Sequence, residues 1–578
     1  MTMPHTRRQW LESVSLLGSG LALSGLGGCR PQNGGLRADL AGGWVGAKVD
    51  TGHAWRDGRL PWSTGGEPVR VHTLVIGAGV AGLSAARTLI DGGLDDIAVL
   101  DLEEQPGGNA RAHRMAGLAC PLGAHYLPMP GPDAIEVAQW LEEIGLIRQV
   151  QGRWVGDERH LCHSPQERLF VPAPNEAARA SSASDGRSTW LVGQWQEGLL
   201  PQQAWGADDA AQRQRFMADV GRARRELGFA IPTTRRPWHA GLDALDQLSM
   251  AQWLDQRGYT SPPLRWLLDY ACRDDYGAGI HRVSAWAGLQ YFAGRHLDPT
   301  GEADTPDAVL TWPEGNAWLT QQLARRLGSR WQGGQVALRV EPGRHEVSVQ
   351  AWSIKRQRAQ TWLAKRVILA VPLMLAQRLL SQPPSALQAM APRMAYAPWL
   401  VSNILLSQPF FDRPGAPLSW DNVAYTDQGV SGVPMPSLGY VNARHQSLSP
   451  ATGPMLLTHY WALGGQNAAQ AQAQRHALLH DDWRTWAERV AADLARIHPD
   501  LPALVTRMDL MRYGHAMAIP LPGVRGHGAL AALHQAQDRL HFAHSDLSAY
   551  SVFEEAFTHG VRAAHQVLAL SGRPRRMA

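Results

Sequence analysis

The run Gly77-Ala78-Gly79-Val80-Ala81-Gly82 carries the residue types that let backbone come close to a phosphate. Gly77 permits a tight turn out of a strand, Gly79 lets the chain approach a pyrophosphate, and Gly82 lets a helix pack closely on a sheet. A helix starting here offers its unpaired N–H groups to the phosphates. Glycines in this pattern also arise by chance, so the surroundings decide. VHTLVI precedes the glycines, LSAARTLIDGG follows them, and a second apolar run ends in IAVLD. Asp101 stands nineteen positions after Gly82, at the end of that second run, where a carboxylate can accept hydrogen bonds from ribose hydroxyls. Strand, turn, helix, strand and acid together predict a dinucleotide site contacted by Gly77, Gly79, Ala81, Gly82 and Asp101.

Chemistry of a second kind is suggested by DYACRDDYGAGIHR, where Arg273, Asp274, Asp275 and Tyr276 bring charge and an aromatic ring into otherwise apolar sequence. Carboxylates buried there could hold a cationic amine or polyamine; an Arg–Asp pair tethering a helix end accounts for them equally well. The run THYWAL, with His459, Tyr460 and Trp461, could supply aromatic walls that exclude water from a cleft, or it could be ordinary core packing. No spacing argues for a hydrolase triad. Of four cysteines, Cys120, Cys162 and Cys272 have neither CxxC nor Cys/His spacing, so no zinc site is indicated and the metal expectation is none.

These residues need elements to position them. A chain of 578 residues can bury a large core and form two or more domains, and a net charge of +4 gives no reason to expect a nucleic-acid partner. The texture is β-type, then helical, then β-type again from Val71 to Asp101. Helical patterns follow in AIEVAQWLEEIGL, QRQRFMADVGRARRELGF and SMAQWLDQRGY, broken by a Ser/Ala/Asp-rich loop at 180–187. VSVQAW and RVILAVP restore α/β texture, and LHFAHSD with SVFEEAFTHGVRAAHQVL gives a last strand and helix. The expected fold is α/β: a Rossmann-like domain from discontinuous segments, 70–130, 309–380 and 523–570, with an α+β substrate domain formed by two insertions, 131–308 and 381–522.

After Asp101 the chain continues LEEQPGGNAR, and here it resembles the flavin-containing amine oxidoreductase superfamily, which reads E-x-x-x-x-x-G-G-R after its second strand. Gly107 and Gly108 match; Asn109 stands where Arg is usual, with Arg111 two residues on. The resemblance returns at WPEGNAWLTQQLARRL, at KRVILAVP and at the C-terminal block, where His544-Ser545 replace Gly-Glu or Gly-Asp. It implies non-covalent FAD, held also by Gly107, Gly108, Asn109, Arg111, and Ser545 or Asp546. It further implies hydride transfer from a C–N bond of an amine to flavin N5, with oxygen or an electron carrier as acceptor. Tyr460, Trp461 and Asp275 are then the candidate catalytic residues, and Arg512 and His515 lie in a stretch that runs beside the flavin in relatives. Many amine-oxidising relatives place a Lys near the flavin, but the corresponding stretch RMAYAPWLVSNILLSQPFF has none, which keeps two alternatives open: a desaturase or isomerase of an apolar substrate, or a flavin-binding scaffold.

Upstream, Thr6-Arg7-Arg8-Gln9-Trp10-Leu11 resembles a twin-arginine export signal, and Leu26-Gly27-Gly28-Cys29 a lipobox. The apolar stretch between them is too short for a span of about 20 residues. Residues 1–29 are thus expected to be an export signal and 30–69 a tether and lead-in. The expected location is the periplasm, with a lipid on Cys29 as the sole membrane contact, at the outer membrane because Arg30 follows the cysteine. Export in the folded state suits a protein that must carry a dinucleotide with it.

Overall fold

A computed structural model describes residues 36–61, 67–162, 166–173, 192–201, 206–295, 309–425, 436–442 and 453–572. The export signal, Cys29 and the 180–187 loop lie outside them.

Two sheets organise these residues. In chain order the elements used below are β1 (Ala41–Trp44), α1 (Val49–Arg56), β2 (Val69–Ile76), α2 (Val80–Asp91), β3 (Ile97–Leu100), α3 (Ile135–Glu143), β4 (Glu167–Pro172), β5 (Gly193–Glu197), α4 (Ala207–Leu227), α5 (Met250–Gln256), α6 (Pro262–Tyr276), α7 (Ala285–Arg295), β6 (Trp331–Gln332), β7 (Gln335–Pro342), β8 (Val347–Ser353) and β9 (Arg358–Leu369). They continue with α8 (Leu373–Leu379), β10 (Ala395–Leu406), β11 (Asp421–Ala424), β12 (Tyr440–Asn442), β13 (Met455–Ala462), α9 (Ala468–His480), α10 (Trp483–Ala495), β14 (Val505–Ile519), β15 (Leu540–Phe542) and α11 (Phe553–Leu570).

The seven-stranded sheet runs β6-β3-β2-β9-β8-β7, with β15 pairing parallel to β9. Its strands come from three separated stretches, the discontinuous Rossmann-like arrangement that the sequence implies. β2 lies between parallel neighbours β3 and β9, and its second half, Thr73–Ile76, is buried on both faces, so a continuous apolar run rather than an alternating one fits this position. α2 covers one face with small side chains, and α11 packs against it. The approach is close enough that a Cβ on Gly560 would lie 2.1 Å from Ala81 O, and Ser84 Oγ donates across to Phe557 O at 3.0 Å. On α11, Phe557, Val561, Ala564 and Leu568 repeat at helical spacing and are buried against α2.

The eight-stranded sheet runs β1-β14-β10-β13-β12-β11-β4-β5. One face packs on α4–α7, the other on α9 and α10. Two placements differ from the sequence reading. Residues from the lead-in form β1 and α1, β1 pairing parallel with Arg507–Leu510; a four-residue AGGW run has no local signal of an edge strand. α3, expected in the inserted region, buries Val137, Ala138, Trp140 and Leu141 in the same core as α2 and α11, because its apolar face needs a partner and theirs adjoins it. No helix among the described residues is long and apolar enough to cross a membrane. Cys120, Cys162 and Cys272 are buried thiols, and burial pushes the first two up to about 12.

Candidate functional site

The turn Gly77–Gly82 links β2 to α2, and Gly77 and Gly82 are required by space. Gly77 has φ +100°, and a Cβ there would lie 2.3 Å from Ala370 O. A Cβ on Gly82 would lie 1.9 Å from Gly77 O, so the helix could not sit where it does. Gly79 caps α2 without a side chain, and its nearest neighbour to a Cβ would be Gly108 Cα at 3.9 Å. That leaves backbone facing open space at a helix N-terminus whose first amides lack intrahelical partners, and Ala81 lies in that first turn.

The loop from Asp101 to Arg111 forms the opposite wall. Asp101 Oδ2 accepts the Ala78 N–H at 2.7 Å and Oδ1 the Glu103 N–H at 2.8 Å, so the carboxylate braces both loops. Each oxygen keeps a second lone pair for a ribose hydroxyl. Burial raises the Asp101 pKa, opposed by those two amides. Gly107, at φ +134°, donates its N–H to Ala78 O at 2.7 Å, and Gly108, at φ +58°, comes against Gly79. Asn109 is exposed and donates through Nδ2 to Ala516 O at 2.7 Å. Arg111 is buried and donates from Nε to Gly108 O at 3.0 Å.

At the C-terminal block, Asp546 Oδ2 accepts the Leu373 N–H at 2.9 Å and the Tyr396 hydroxyl at 2.5 Å, tying the loop to α8 and β10. His544 Nδ1 lies 3.1 Å from Oδ1 but already accepts the Asp546 N–H, leaving Oδ1 buried without a hydrogen-bond donor. Burial pushes the Asp546 carboxyl up, but the neighbouring His544 together with hydrogen bonds from Tyr396 and Leu373 outweighs it and holds the group low. Ser545 is buried beside it.

These parts fit FAD. Accessible backbone at Gly79 and Val80 adjoins Gly108; Asn109 accepts through its carbonyl the Ala124 N–H at 3.1 Å, and Ala124 is exposed although Pro121 and Leu122 just before it are buried. The exposed Asn109 and Ala124 thus continue from the phosphate-type amides in the direction of His125, and the Asp546 Oδ1 that has no donor would accept a hydroxyl. When bound, FAD supplies the two-electron acceptor for a hydride. Glycine cradle, Asp101, Arg111 and Asp546 are the groups that would hold it.

The residue after Ala124, His125, lies among rings and acids. His125 stacks on Tyr460 with centroids 4.4 Å apart, and its ring also lies 4.9 Å from Tyr126 and 5.1 Å from Trp420. Enclosure by these rings drops the His125 pKa to about 3, so the imidazole is neutral. Tyr460 donates its hydroxyl to Gly123 O at 3.1 Å. Tyr126 donates to Asp274 Oδ2 at 3.4 Å, and Asp274, half-buried on α6, is raised to about 7 by burial first and then by Asp275 and Glu167. Asp421, opposite Glu167 across the parallel β4–β11 pair, is raised by burial, Glu167 and Asp274. Asp275 adds its charge beside Tyr126 and Tyr276.

The structure thus brings Tyr460 and the Asp274–Asp275 pair into one neighbourhood and removes Trp461 from it. Side chains alternate across β13, so Tyr460 faces the α4–α7 side while Trp461 packs with Trp486 of α10 on the other. His459 goes with Trp461, its Nε2 lying 3.0 Å from Asp493 Oδ2. A catalytic role for Trp461 beside Tyr460 is therefore corrected by strand geometry. Arg273 pairs with Asp269 at 2.9 Å and donates to Pro436 O at 2.8 Å, the helix tether weighed from sequence. Arg512 turns to Leu479 O and the Trp44 ring, away from the cluster; His515 lies against Tyr396, with burial lowering its pKa to about 4. Sequence reasoning missed His125, Tyr126, Glu167, Trp420 and Asp421. The His-Tyr pair follows Gly123-Ala124 soon after the Gly107–Arg111 loop, which is the one local signal that could have found any of them.

Comparisons with known proteins agree with this geometry. A putrescine oxidase variant superposes with a TM-score of 0.63 at 18% identity, covering 87% of this chain and 100% of the other, and the wild-type form bound to putrescine gives 0.62 at 18% over the same shares. The fatty acid isomerase from P. acnes that produces CLA gives 0.56 at 13%, covering 85% of this chain and 97% of that one. Polyamine oxidase 7 of Oryza sativa subsp. japonica is 34% identical over 58 residues, 10% of this chain, and the matched stretch spans only 12% of that relative's length. The family described as flavin containing amine oxidoreductase matches residues 80–568, so the chain belongs to that FAD-dependent family.

Proposed function

We propose that this protein is an FAD-dependent oxidoreductase that removes a hydride from the C–N bond of a cationic amine or polyamine. The observation that carries the reading is the set of carboxylates Asp274, Asp275 and Asp421, with the exposed Glu167 beside Asp421, near the rings of His125, Tyr126, Trp420 and Tyr460. Carboxylates held close together and partly out of water raise one another's pKa, and an ammonium among them adds favourable opposite charge. Aromatic faces suit the same ligand, because a ring's negative face attracts a cation at about 0.5–2 kcal/mol. An apolar substrate would gain nothing from so acidic a surrounding, which weighs against the desaturase or isomerase reading. Putrescine bound to the similarly folded putrescine oxidase gives further support.

In this reading the acids orient the ammonium end, Asp274 with a pKa near neutrality can hold or release a proton at Oδ2, and the His125–Tyr460 stack keeps water from the reacting carbon. β10, where the sequence has no Lys, contributes apolar packing instead. The test is anaerobic mixing of the holoprotein with putrescine, spermidine, cyclohexylamine and an unsaturated fatty acid, followed by visible absorbance. Amines should bleach the flavin; a response to the fatty acid alone would transfer the assignment to the apolar class, and no response to any would leave a scaffold.

The proposal includes export. Arg7-Arg8 and the Leu26–Cys29 run support a route that carries folded, cofactor-loaded protein and ends in lipid attachment at the periplasmic face of the outer membrane. Replacing both arginines by lysine should keep the yellow protein in the cytoplasm, and Cys29→Ala should move it from membranes to the soluble periplasm.

A further inference from the structure

The segment before the first strand of the cofactor sheet is fixed at three places. At its start, β1 is held on the eight-stranded sheet in register with Arg507–Leu510. In its middle, Gly46 O accepts Arg111 Nη1 at 2.9 Å, the Lys48 N–H donates to Glu103 Oε1 at 3.1 Å, and Lys48 Nζ pairs with Glu104 at 2.8 Å. At its end, Trp55 Nε1 donates to Leu338 O at 3.2 Å, while the ring packs with Leu102, Val336 and Leu338 under the Arg378 guanidinium. The middle attachment falls on the loop that walls the dinucleotide groove. Glu103 bridges it, since Oε2 lies 3.2 Å from the same Arg111 that holds Gly108 O.

That loop needs an external hold. Gly107 and Gly108 both sit at positive φ, where glycine leaves the chain its greatest freedom, and Asn109 is exposed. Arg111 is 8% exposed, so its donors must find acceptors within the protein, and one of them is Gly46 O.

We propose that residues 45–56 are a retaining strap for the bound dinucleotide. By clasping Glu103 and Arg111 from outside, they hold Gly107 and Gly108 against Gly79 and so slow the escape of FAD, whatever the substrate. Gly46, Lys48, Glu103 and Trp55 are positioning residues, acting through the loop rather than on the cofactor. Such a strap suits an exported flavoprotein, which has no fresh FAD to rebind where it works.

The test is the FAD release rate of the holoprotein, read as the rise of free-flavin fluorescence after dilution. Trp55→Ala, which frees the strap's end, should speed release about tenfold or more, and Glu103→Gln, which removes the central charge without emptying space, should speed it several-fold. Amide exchange supplies an independent readout, because coupling is reciprocal: if the strap retains FAD, FAD must retain the strap. The Lys48 amide should exchange more slowly in holoprotein than in apoprotein. Should Trp55→Ala fail to fold, Glu103→Gln and the exchange measurement stand alone. Release at the wild-type rate in every variant that folds, or equal Lys48 exchange with and without FAD, would overturn the proposal; melting points that fall while release is unchanged would mark the contacts as purely structural.

Discussion

The turn at Gly77–Gly82 and the ring-and-acid cluster around His125 do different work by opposite construction. The turn is six consecutive residues, two of them fixed by the space around backbone atoms: Gly77 against Ala370 O, Gly82 against Gly77 O. The cluster draws His125 from a loop and Tyr126 from the start of the short strand Tyr126–Pro128, Glu167 from β4, Asp274 and Asp275 from α6, Trp420 and Asp421 from the start of β11, and Tyr460 from β13. A phosphate is gripped by amides, so any added side chain displaces either the helix or the ligand. A cation is held by summed charge and ring faces, so each cluster member can be weakened by itself. Failure at the turn should show in the cofactor and failure at the cluster in the substrate.

The largest effect expected is at the turn. Gly82→Ala places a methyl 1.9 Å from Gly77 O; overpacking of about 1–3 kcal/mol and a displaced α2 should give protein that purifies colourless, checked by the flavin-to-protein absorbance ratio and the melting temperature.

Next comes Asp274→Asn, which removes a charge without changing shape. Loss of a charged contact worth about 1.5–3 kcal/mol should raise KM for diamines about 10- to 100-fold, while the flavin spectrum stays as in the wild type. The same residue makes a pH prediction. Its folded pKa is about 7, raised by burial above the ordinary value of 3.8, so the stability it contributes is full below about pH 4 and is lost as pH climbs toward 7. The melting temperature of substrate-free wild type should fall across that window by more than that of Asp274→Asn, and a diamine should restore part of the difference.

Gly79→Ala separates the two demands made on the turn. Its φ of −71° suits any residue and the added methyl meets nothing nearer than 3.9 Å, so apoprotein should melt as wild type does, while FAD affinity drops about tenfold, or ~1.4 kcal/mol, by titration. Equal losses in both would show that the groove is not where the phosphates lie.

The smallest effect separates neighbours on β13. Tyr460→Phe removes the hydroxyl bonded to Gly123 O and should slow flavin reduction several-fold, whereas Trp461→Phe, on the opposite face, should change it less than about twofold and register only as a modest loss of stability. Reversal of that order would place the substrate on the α9–α10 side of the sheet.

The sequence by itself determined the cofactor half. Close packing at Gly82, the apolar β2 run and the Asp101 position are enforced by atoms within a few residues or by a repeating strand and helix period, so they leave a local trace. Even the separation of Tyr460 from Trp461 follows from period two once β13 is recognised as a strand. What only the tertiary structure decided is the company each residue keeps. Nothing near Glu167 or Asp421 in sequence says that β4 and β11 lie side by side, and nothing in Ala41–Trp44 says that it will join β14. Nor does Asp274 announce Tyr126 as its partner, because pairing between distant segments is fixed by the packing of whole sheets and helices rather than by any short run of side chains.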